Sequence, residues 1–155
     1  MFRRIALGVV VGLLTAGSSF AQQAAPAAQA AAAPTARLFA SDAGMVLNFI
    51  KGDKTADFEA VIGKLKEALN KSEKPERKQQ AASWKIFKAA EPGPNGSVLY
   101  VFFIDPAVKG ADYTVSALLA EGFPAEVQTL YKQYAEAYAQ GQNFVNLTLV
   151  NALGK

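Results

Sequence analysis

The chain has 155 residues, 16 of them basic and 13 acidic, and it contains neither cysteine nor histidine. The missing residue types exclude disulfide crosslinks, ordinary zinc sites and nucleophilic centres that pair serine or cysteine with histidine. A chain of this length suffices for one domain held together by its own hydrophobic core.

Residues 1–21 have the pattern of a secretory signal peptide. A basic start at residues 2–4 precedes an uncharged apolar run, residues 5–16, and Ser19 and Ala21 supply the small residues of a cleavage site before Gln22. The apolar run is shorter than the roughly 20 residues that a membrane-spanning helix needs. We therefore expect a periplasmic or secreted protein with no stable membrane anchor after cleavage; a retained anchor is the alternative.

Cleavage would remove Arg3 and Arg4, which leaves 14 basic against 13 acidic residues and lowers the net charge from +3 to +1. So small a charge gives no argument for nucleic acid binding. Residues 22–36 are rich in Ala, Gln and Pro and lack an amphipathic pattern, so they predict a disordered linker. We expect a single domain over residues 37–155.

The predicted domain opens with a strand and a helix. Residues 45–51 alternate as in a strand, with one face wholly apolar and the other apolar except for Asn48. A helix follows, with Thr55 as the expected N-cap, because apolar residues recur at spacings of three and four from Phe58 to Leu69.

A polar segment and a hairpin come next. Residues 70–80 are polar and interrupted by Pro75, which predicts a solvated loop; their excess of basic residues leaves an anionic partner surface as the alternative. Residues 83–89 alternate as a half-exposed strand, and Asn95-Gly96 supplies the chemistry of a tight turn.

The most apolar stretch of the domain is residues 97–104, which predicts a central strand antiparallel to the one before it. Asp105-Pro106 ends it, because proline cannot donate to the ladder. Its two faces are both apolar: Leu99, Val101 and Phe103 on one, Val98, Tyr100, Phe102 and Ile104 on the other. A strand of this kind needs cover on two sides.

The last third of the chain predicts two helices and a strand. Thr114 is the expected cap of a short helix over residues 115–121. A second helix would run from Pro124 to about Gln140, and residues 144–150 form the last strand. The complete order predicts an α+β, ferredoxin-like β-α-β-β-α-β fold, a four-stranded antiparallel sheet with helices on one face.

Residues 44–69, with the Asp57-Phe58-Glu59 helix start, resemble the opening strand and helix of the dimeric α+β barrel superfamily, which includes antibiotic-biosynthesis-monooxygenase-like, stress-responsive barrel and NIPSNAP-like proteins. The strands of Trp84 and of residues 100–106 are also similar to theirs. The resemblance implies a homodimer that pairs its two sheets face to face. Haem-degrading members use an Asn, a Trp and a His; Asn48 and Trp84 match the first two, but this chain has no histidine.

Two groups of residues are candidates for chemistry. Asp105, Lys109, Asp112 and Tyr113 combine carboxylates, an amine and a phenol, which suits acid-base work or a hard cation, although such residues are more often turn and capping residues. Tyr131, Tyr134 and Tyr138 share a helix face and suit either a pocket for an apolar or aromatic ligand or the core.

We therefore expect a non-catalytic module that binds a partner or a small apolar ligand and forms a homodimer through its sheet. The alternative is a cofactor-independent, oxygenase-like enzyme with an apolar cavity lined by the sheet. The sequence indicates no catalytic residue, no metal site and no cofactor. The candidate ligand-binding residues are Asn48, Trp84, Tyr100, Phe102, Tyr131 and Tyr134.

Overall fold

A computed structural model describes residues 35–154. The predicted signal peptide and all but the last two residues of the predicted linker lie outside the described residues. The elements, in chain order, are β1 (Ala43–Ile50), α1 (Thr55–Lys71), α2 (Pro75–Ser83), β2 (Trp84–Pro92), β3 (Val98–Ile104), α3 (Val115–Gly122), α4 (Val127–Ala137) and β4 (Tyr138–Leu147).

The four strands form one antiparallel sheet in the order β2-β3-β1-β4. This order confirms the predicted ferredoxin-like α+β fold and places β3 among the two inner strands. The turn between β2 and β3 has positive φ angles at Asn95 and Gly96, as the Asn-Gly pair predicts. Within residues 35–154, no helix is both long and apolar enough to cross a bilayer.

The prediction of a solvated loop at residues 70–80 is wrong from Pro75 onward, because Pro75 begins helix α2 instead of breaking one. Polar contacts hold this helix. The Arg77 guanidinium donates to Glu121 on α3 over 3.1 Å and to Gln80 over 2.7 Å, and Gln80 donates to the carbonyl oxygen of Asp112 over 3.1 Å. Arg77 and Gln80 are buried, so the helix packs through polar side chains, which no apolar stripe in the sequence marks.

The predicted boundary between the last helix and the last strand is also wrong. Helix α4 begins at Val127 and ends at Ala137, and β4 begins at Tyr138, so the predicted helix stop, Gly141, lies within the strand. Tyr138 is paired with Ile50 of β1. Tertiary pairing overrides the helical periodicity of the tyrosines.

The two predicted N-caps differ in detail from the structure. Thr55 is the first residue of α1 rather than its cap, and its hydroxyl donates to the carbonyl oxygen of Gly52 over 3.4 Å. Thr114 does occupy the cap position of α3, but its hydroxyl oxygen accepts the backbone N–H of Arg37 over 3.1 Å instead of capping the helix.

The core lies between the sheet and the helices and is centred on Phe58 of α1, which is fully buried. Its ring centroid lies 4.8 Å from that of Tyr100 and 5.8 Å from that of Tyr134. From β1 and β3, this side of the sheet carries Val46, Asn48, Ile50, Tyr100, Phe102 and Ile104, all buried. The helices thus cover one face of the sheet.

The opposite side, which we call the outer sheet face, has no helix over it among the described residues. On β1 and β3 it consists of Met45, Leu47, Phe49, Leu99, Val101 and Phe103, all half-buried. The neighbouring strands add Phe87, which is 54% exposed, and the half-buried Val145, together with two exposed polar side chains, Lys85 and Asn143. Strand β3 therefore has apolar side chains on both of its faces, as expected.

Candidate functional site

A cleft of about 810 Å³ lies between α4, the start of β4, the start of α3 and the segment that precedes β1. We call it the tyrosine cleft. Its lining residues are Thr35, Ala36, Arg37, Leu38, Tyr113, Thr114, Val115, Ser116, Tyr131, Tyr134, Ala135, Tyr138, Gln140, Gly141, Gln142 and Phe144. A concave surface of this size, mostly aromatic and apolar with a few polar groups, is typical of small-molecule sites.

The side chains of Tyr134, Tyr138 and Gln142 form a hydrogen-bonded cluster in the cleft. The cluster contacts Asn48, which is completely buried. Gln142 Nε2 lies 2.8 Å from Asn48 Oδ1, 2.8 Å from the Tyr134 hydroxyl and 2.7 Å from the Tyr138 hydroxyl. The Tyr138 hydroxyl lies 2.8 Å from Asn48 Oδ1 and 2.6 Å from the Tyr134 hydroxyl.

The cluster has fewer hydrogens to donate than it has contacts. The amide of Asn48 donates to the carbonyl oxygens of Val46 and Tyr100, so its Oδ1 faces the cluster as an acceptor. Gln142 supplies two hydrogens and each tyrosine one, four in all for five contacts. When Tyr134 accepts from Gln142 and Tyr138, its own hydrogen is free to point into the cleft. In that arrangement the cluster offers a ligand one donor, and two of its own five contacts are left without a hydrogen.

Burial keeps both tyrosines in the protonated form. Desolvation raises the pKa of Tyr134 to about 12, against smaller lowering effects of Tyr138, Gln142 and the charge of Arg37. Desolvation likewise raises the pKa of Tyr138, and its contact with Tyr134 adds to the rise. At neutral pH these hydroxyls are hydrogen-bond donors and not bases.

One wall of the cleft is formed by residues 35–38, and Phe39 follows them in the chain. Phe39 is buried, and its ring stacks on Phe144 with centroids 4.2 Å apart and lies where a Cβ on Gly44 would be. The backbone N–H of Arg37 donates to Asp112 Oδ1 over 2.9 Å, and its carbonyl oxygen accepts from the backbone N–H of Tyr113 over 2.9 Å. The wall is thus built on fixed backbone contacts.

The structure brings three of the six predicted ligand residues to this cleft. Tyr131 and Tyr134 line the cleft. Asn48 does not line it but is hydrogen-bonded to Tyr138 of the cluster. Tyr134 is 8% exposed and packs on Phe58, so it belongs to the core and to the cleft at once. Tyr131 is 51% exposed at the cleft.

The other three predicted residues lie elsewhere on the helix-facing side of the sheet. Phe102 is buried in the core. The hydroxyl of Tyr100 donates to Glu59 over 2.5 Å, and Lys88 reaches the same carboxylate over 2.9 Å; these two hydrogen bonds hold the pKa of Glu59 below its usual value. The packed surroundings of Tyr100 and Phe102 are those of core residues.

Trp84 lies beside a second, smaller cleft of about 460 Å³ between α1 and β2. Its ring packs edge-on against Phe102 with centroids 5.5 Å apart and lies 5.3 Å from that of Tyr113. Its buried Nε1 has no hydrogen-bond partner among the described residues. An unpaired buried donor is unfavourable, so Trp84 is held by packing alone.

Of the four predicted residues after β3, Lys109, Asp112 and Tyr113 make separate structural contacts. Asp112 Oδ1 accepts the backbone N–H of Thr114 over 2.8 Å, and the Tyr113 hydroxyl accepts that of Val108 over 2.9 Å. Lys109 donates to the carbonyl oxygen of Ala40 and pairs with Asp42, each over 3.0 Å. Across the described residues, no three carboxylates converge in a way that could hold a metal ion.

Sequence reasoning missed Gln142 and Arg37. Gln142 precedes the predicted start of the last strand, and its role depends on pairing with Asn48 across β1 and β4. Arg37 was the first residue of the predicted domain and carried no local pattern. A strand starting at Tyr138 would have pointed to Gln142, because residues two apart on a strand share a face.

No family model matches this chain, and neither does any curated protein or solved structure.

Proposed function

We propose that this protein is a non-catalytic binding module whose tyrosine cleft holds a small molecule with a flat apolar body and a hydrogen-bond acceptor. The observation that carries the proposal is the hydrogen-bonded cluster of Tyr134, Tyr138 and Gln142, which lines a concave aromatic cleft. The apolar body would lie among the rings, and the acceptor would take the free hydrogen of Tyr134.

Two further features support a binding role. Leu38 and Tyr131 are large side chains, 49% and 51% exposed, and both line the cleft. Exposed apolar groups gathered around a concave site favour ligand binding over a plain surface. A phenol is protonated at neutral pH, and burial, which raises the pKa of Tyr134 to about 12, makes its ionisation still less favourable; a hydroxyl of this kind suits recognition better than proton abstraction.

The test is an NMR titration of the purified protein with 2-naphthamide, a neutral, flat probe with a carbonyl acceptor. We expect saturable shifts of the Gln142 side-chain amide, with a dissociation constant from micromolar to low millimolar for so small a ligand. Ala135→Trp should block the cleft and abolish binding. Ala120→Trp, at an exposed position of α3, is the matched control and should bind normally. Equal binding by both variants, or shifts that avoid Gln142, would refute the proposal.

We also propose that two copies pair through the outer sheet face. Four strands at about 4.8 Å spacing, with about eight residues of 3.3 Å each, give a face of roughly 500 Å² per copy. Two copies would then bury about 1,000 Å², near the lower limit for a specific interface. A two-fold axis would bring the same apolar side chains against each other, which suits a face that is largely uncharged. We therefore expect a weak dimer.

A further inference from the structure

The tyrosine cleft carries one charge. Arg37 is the only ionisable group of fixed charge among the residues of the described chain that line it. Its side chain is half-buried, and it makes no ion pair with any residue in the range 35–154. Residues 1–34 contain no Asp or Glu, so the sequence provides no acidic side chain there to neutralise it either.

Arg37 is held in place by its backbone and not by its guanidinium. The carboxylate of Asp112 accepts the backbone N–H groups of Arg37 and Thr114, over 2.9 and 2.8 Å, and forms no ion pair with the guanidinium. The side chain is thus positioned at the cleft while its charge is left available. A planar guanidinium suits the two oxygens of a carboxylate.

The charge of Arg37 acts on the same hydroxyls that form the polar cluster. It lowers the pKa of Tyr134 and of Tyr138, although desolvation outweighs it in both. An acceptor beside Tyr134 would therefore lie within the field of Arg37. A negative charge on that acceptor would be favoured by the donor and the cation together.

We propose that the natural ligand of the tyrosine cleft is a small organic acid, whose flat apolar body packs among the aromatic rings and whose carboxylate pairs with Arg37 beside the Tyr134 hydroxyl. This inference rests on the proposed function and adds to it the class of the ligand. A neutral ligand of the same shape would fill the cleft but leave the cation unpaired. The preference for the acid follows from that difference.

The test compares 2-naphthoate with 2-naphthamide, which have the same ring and nearly the same shape. We expect the naphthoate to bind about tenfold more tightly at low salt, the size of one charge-assisted hydrogen bond. Arg37→Gln should remove the preference, and Arg37→Lys should restore most of it. Lys78→Gln, which removes an exposed charge on α2, is the control and should keep the preference. The preference is the ratio of the dissociation constants of the two probes for the same variant. A change in cleft shape that affects both probes equally therefore cancels.

The outcomes separate this inference from the proposed function. If both probes bind equally and Ala135→Trp blocks both, the cleft is a ligand site but its ligand is not an acid, and the inference falls alone. If neither probe binds, both fall. An Arg37→Gln variant that keeps the tenfold preference would also overturn the inference, because another cation would then be responsible.

Discussion

Gln142 Nε2 lies 2.8 Å from Asn48 Oδ1, and the two residues are paired across β1 and β4. This contact connects the buried amide of β1 to the hydroxyls of the tyrosine cleft. Because Asn48 also donates to two strand carbonyls, it fixes the orientation of the whole cluster. The donor offered to a ligand therefore depends on a residue that does not itself line the cleft.

The cluster should be energetically coupled. We expect Asn48→Leu to lower the free energy of unfolding by about 1–3 kcal/mol, because it leaves buried polar partners unpaired. Gln142→Leu should cost less, since Gln142 is only half-buried. The double variant should cost less than the sum of the two, by about 0.5–3 kcal/mol for residues in one network. Urea denaturation of the unmodified protein, the two single variants and the double variant measures this coupling. Strict additivity would show that Asn48 and Gln142 are not hydrogen-bonded in solution.

Two neighbouring residues of β3 distinguish the core from the proposed interface. Phe102 is buried under α1, so Phe102→Asp should unfold the domain by burying an unpaired carboxylate. Phe103 lies on the outer sheet face, so Phe103→Asp should leave the fold intact but separate the two copies. Circular dichroism and sedimentation velocity report the two effects. A protein that is already monomeric at high micromolar concentration before mutation would contradict the proposed dimer.

The ion pair of Glu121 with Arg77 should make stability depend on acid pH. Desolvation alone would raise the pKa of Glu121, but hydrogen bonds and charge from Arg77 and Lys74 outweigh it, so the pKa lies below its ordinary value of 4.5. A carboxyl with a lowered pKa in the folded state contributes stability above pH 4.5 and loses it as the pH falls through the folded pKa.

We expect Glu121→Gln to flatten the stability profile in that acid range and to lower stability at neutral pH by about 1–3 kcal/mol, because Arg77 would lose the nearer of its two carboxylates, and Glu76 at 3.9 Å would remain. Denaturation between pH 3 and pH 7 measures both effects. Glu91→Gln, at an exposed position with no ion pair among the described residues, is the control. An unchanged profile in Glu121→Gln would mean that the pair does not form in solution.

Trp84 should tolerate phenylalanine but not alanine. Phenylalanine keeps ring packing against Phe102 and Tyr113 and removes the buried Nε1 that has no partner among the described residues. The two effects oppose each other, so we expect Trp84→Phe to change stability by less than about 1 kcal/mol and Trp84→Ala to cost about 3–5 kcal/mol. Thermal or urea denaturation compares them. A large cost for Trp84→Phe would reveal a hydrogen bond to Nε1 in solution.

Periodicity in the sequence predicted the two inner strands because β1 and β3 each bury one face. On β1, the half-buried residues Met45, Leu47 and Phe49 alternate with buried ones. Strand β3 shows a similar alternation of half-buried and buried residues over residues 98–104. Helix α2 was missed because its buried side chains, Arg77, Gln80 and Ser83, are polar and become satisfied only in the folded chain. No local pattern reports that kind of packing.

The candidate site was predictable only in part. Tyr131 and Tyr134 were visible as a helical stripe, and Asn48 as the polar exception on an apolar strand. Their convergence with Gln142 depends on the pairing of β1 with β4, which are distant in the sequence. Arg37 joins them through backbone contacts to residues 112–114, which only the tertiary fold supplies.

The most direct test of the central claim is a crystal structure of the protein with 2-naphthamide bound. We predict that the naphthalene ring lies among Tyr131, Tyr134 and Phe144, with the probe's carbonyl oxygen within hydrogen-bond distance of the Tyr134 hydroxyl. The account would be contradicted by crystals in which the probe lies on the outer sheet face or beside Trp84 and not in the tyrosine cleft.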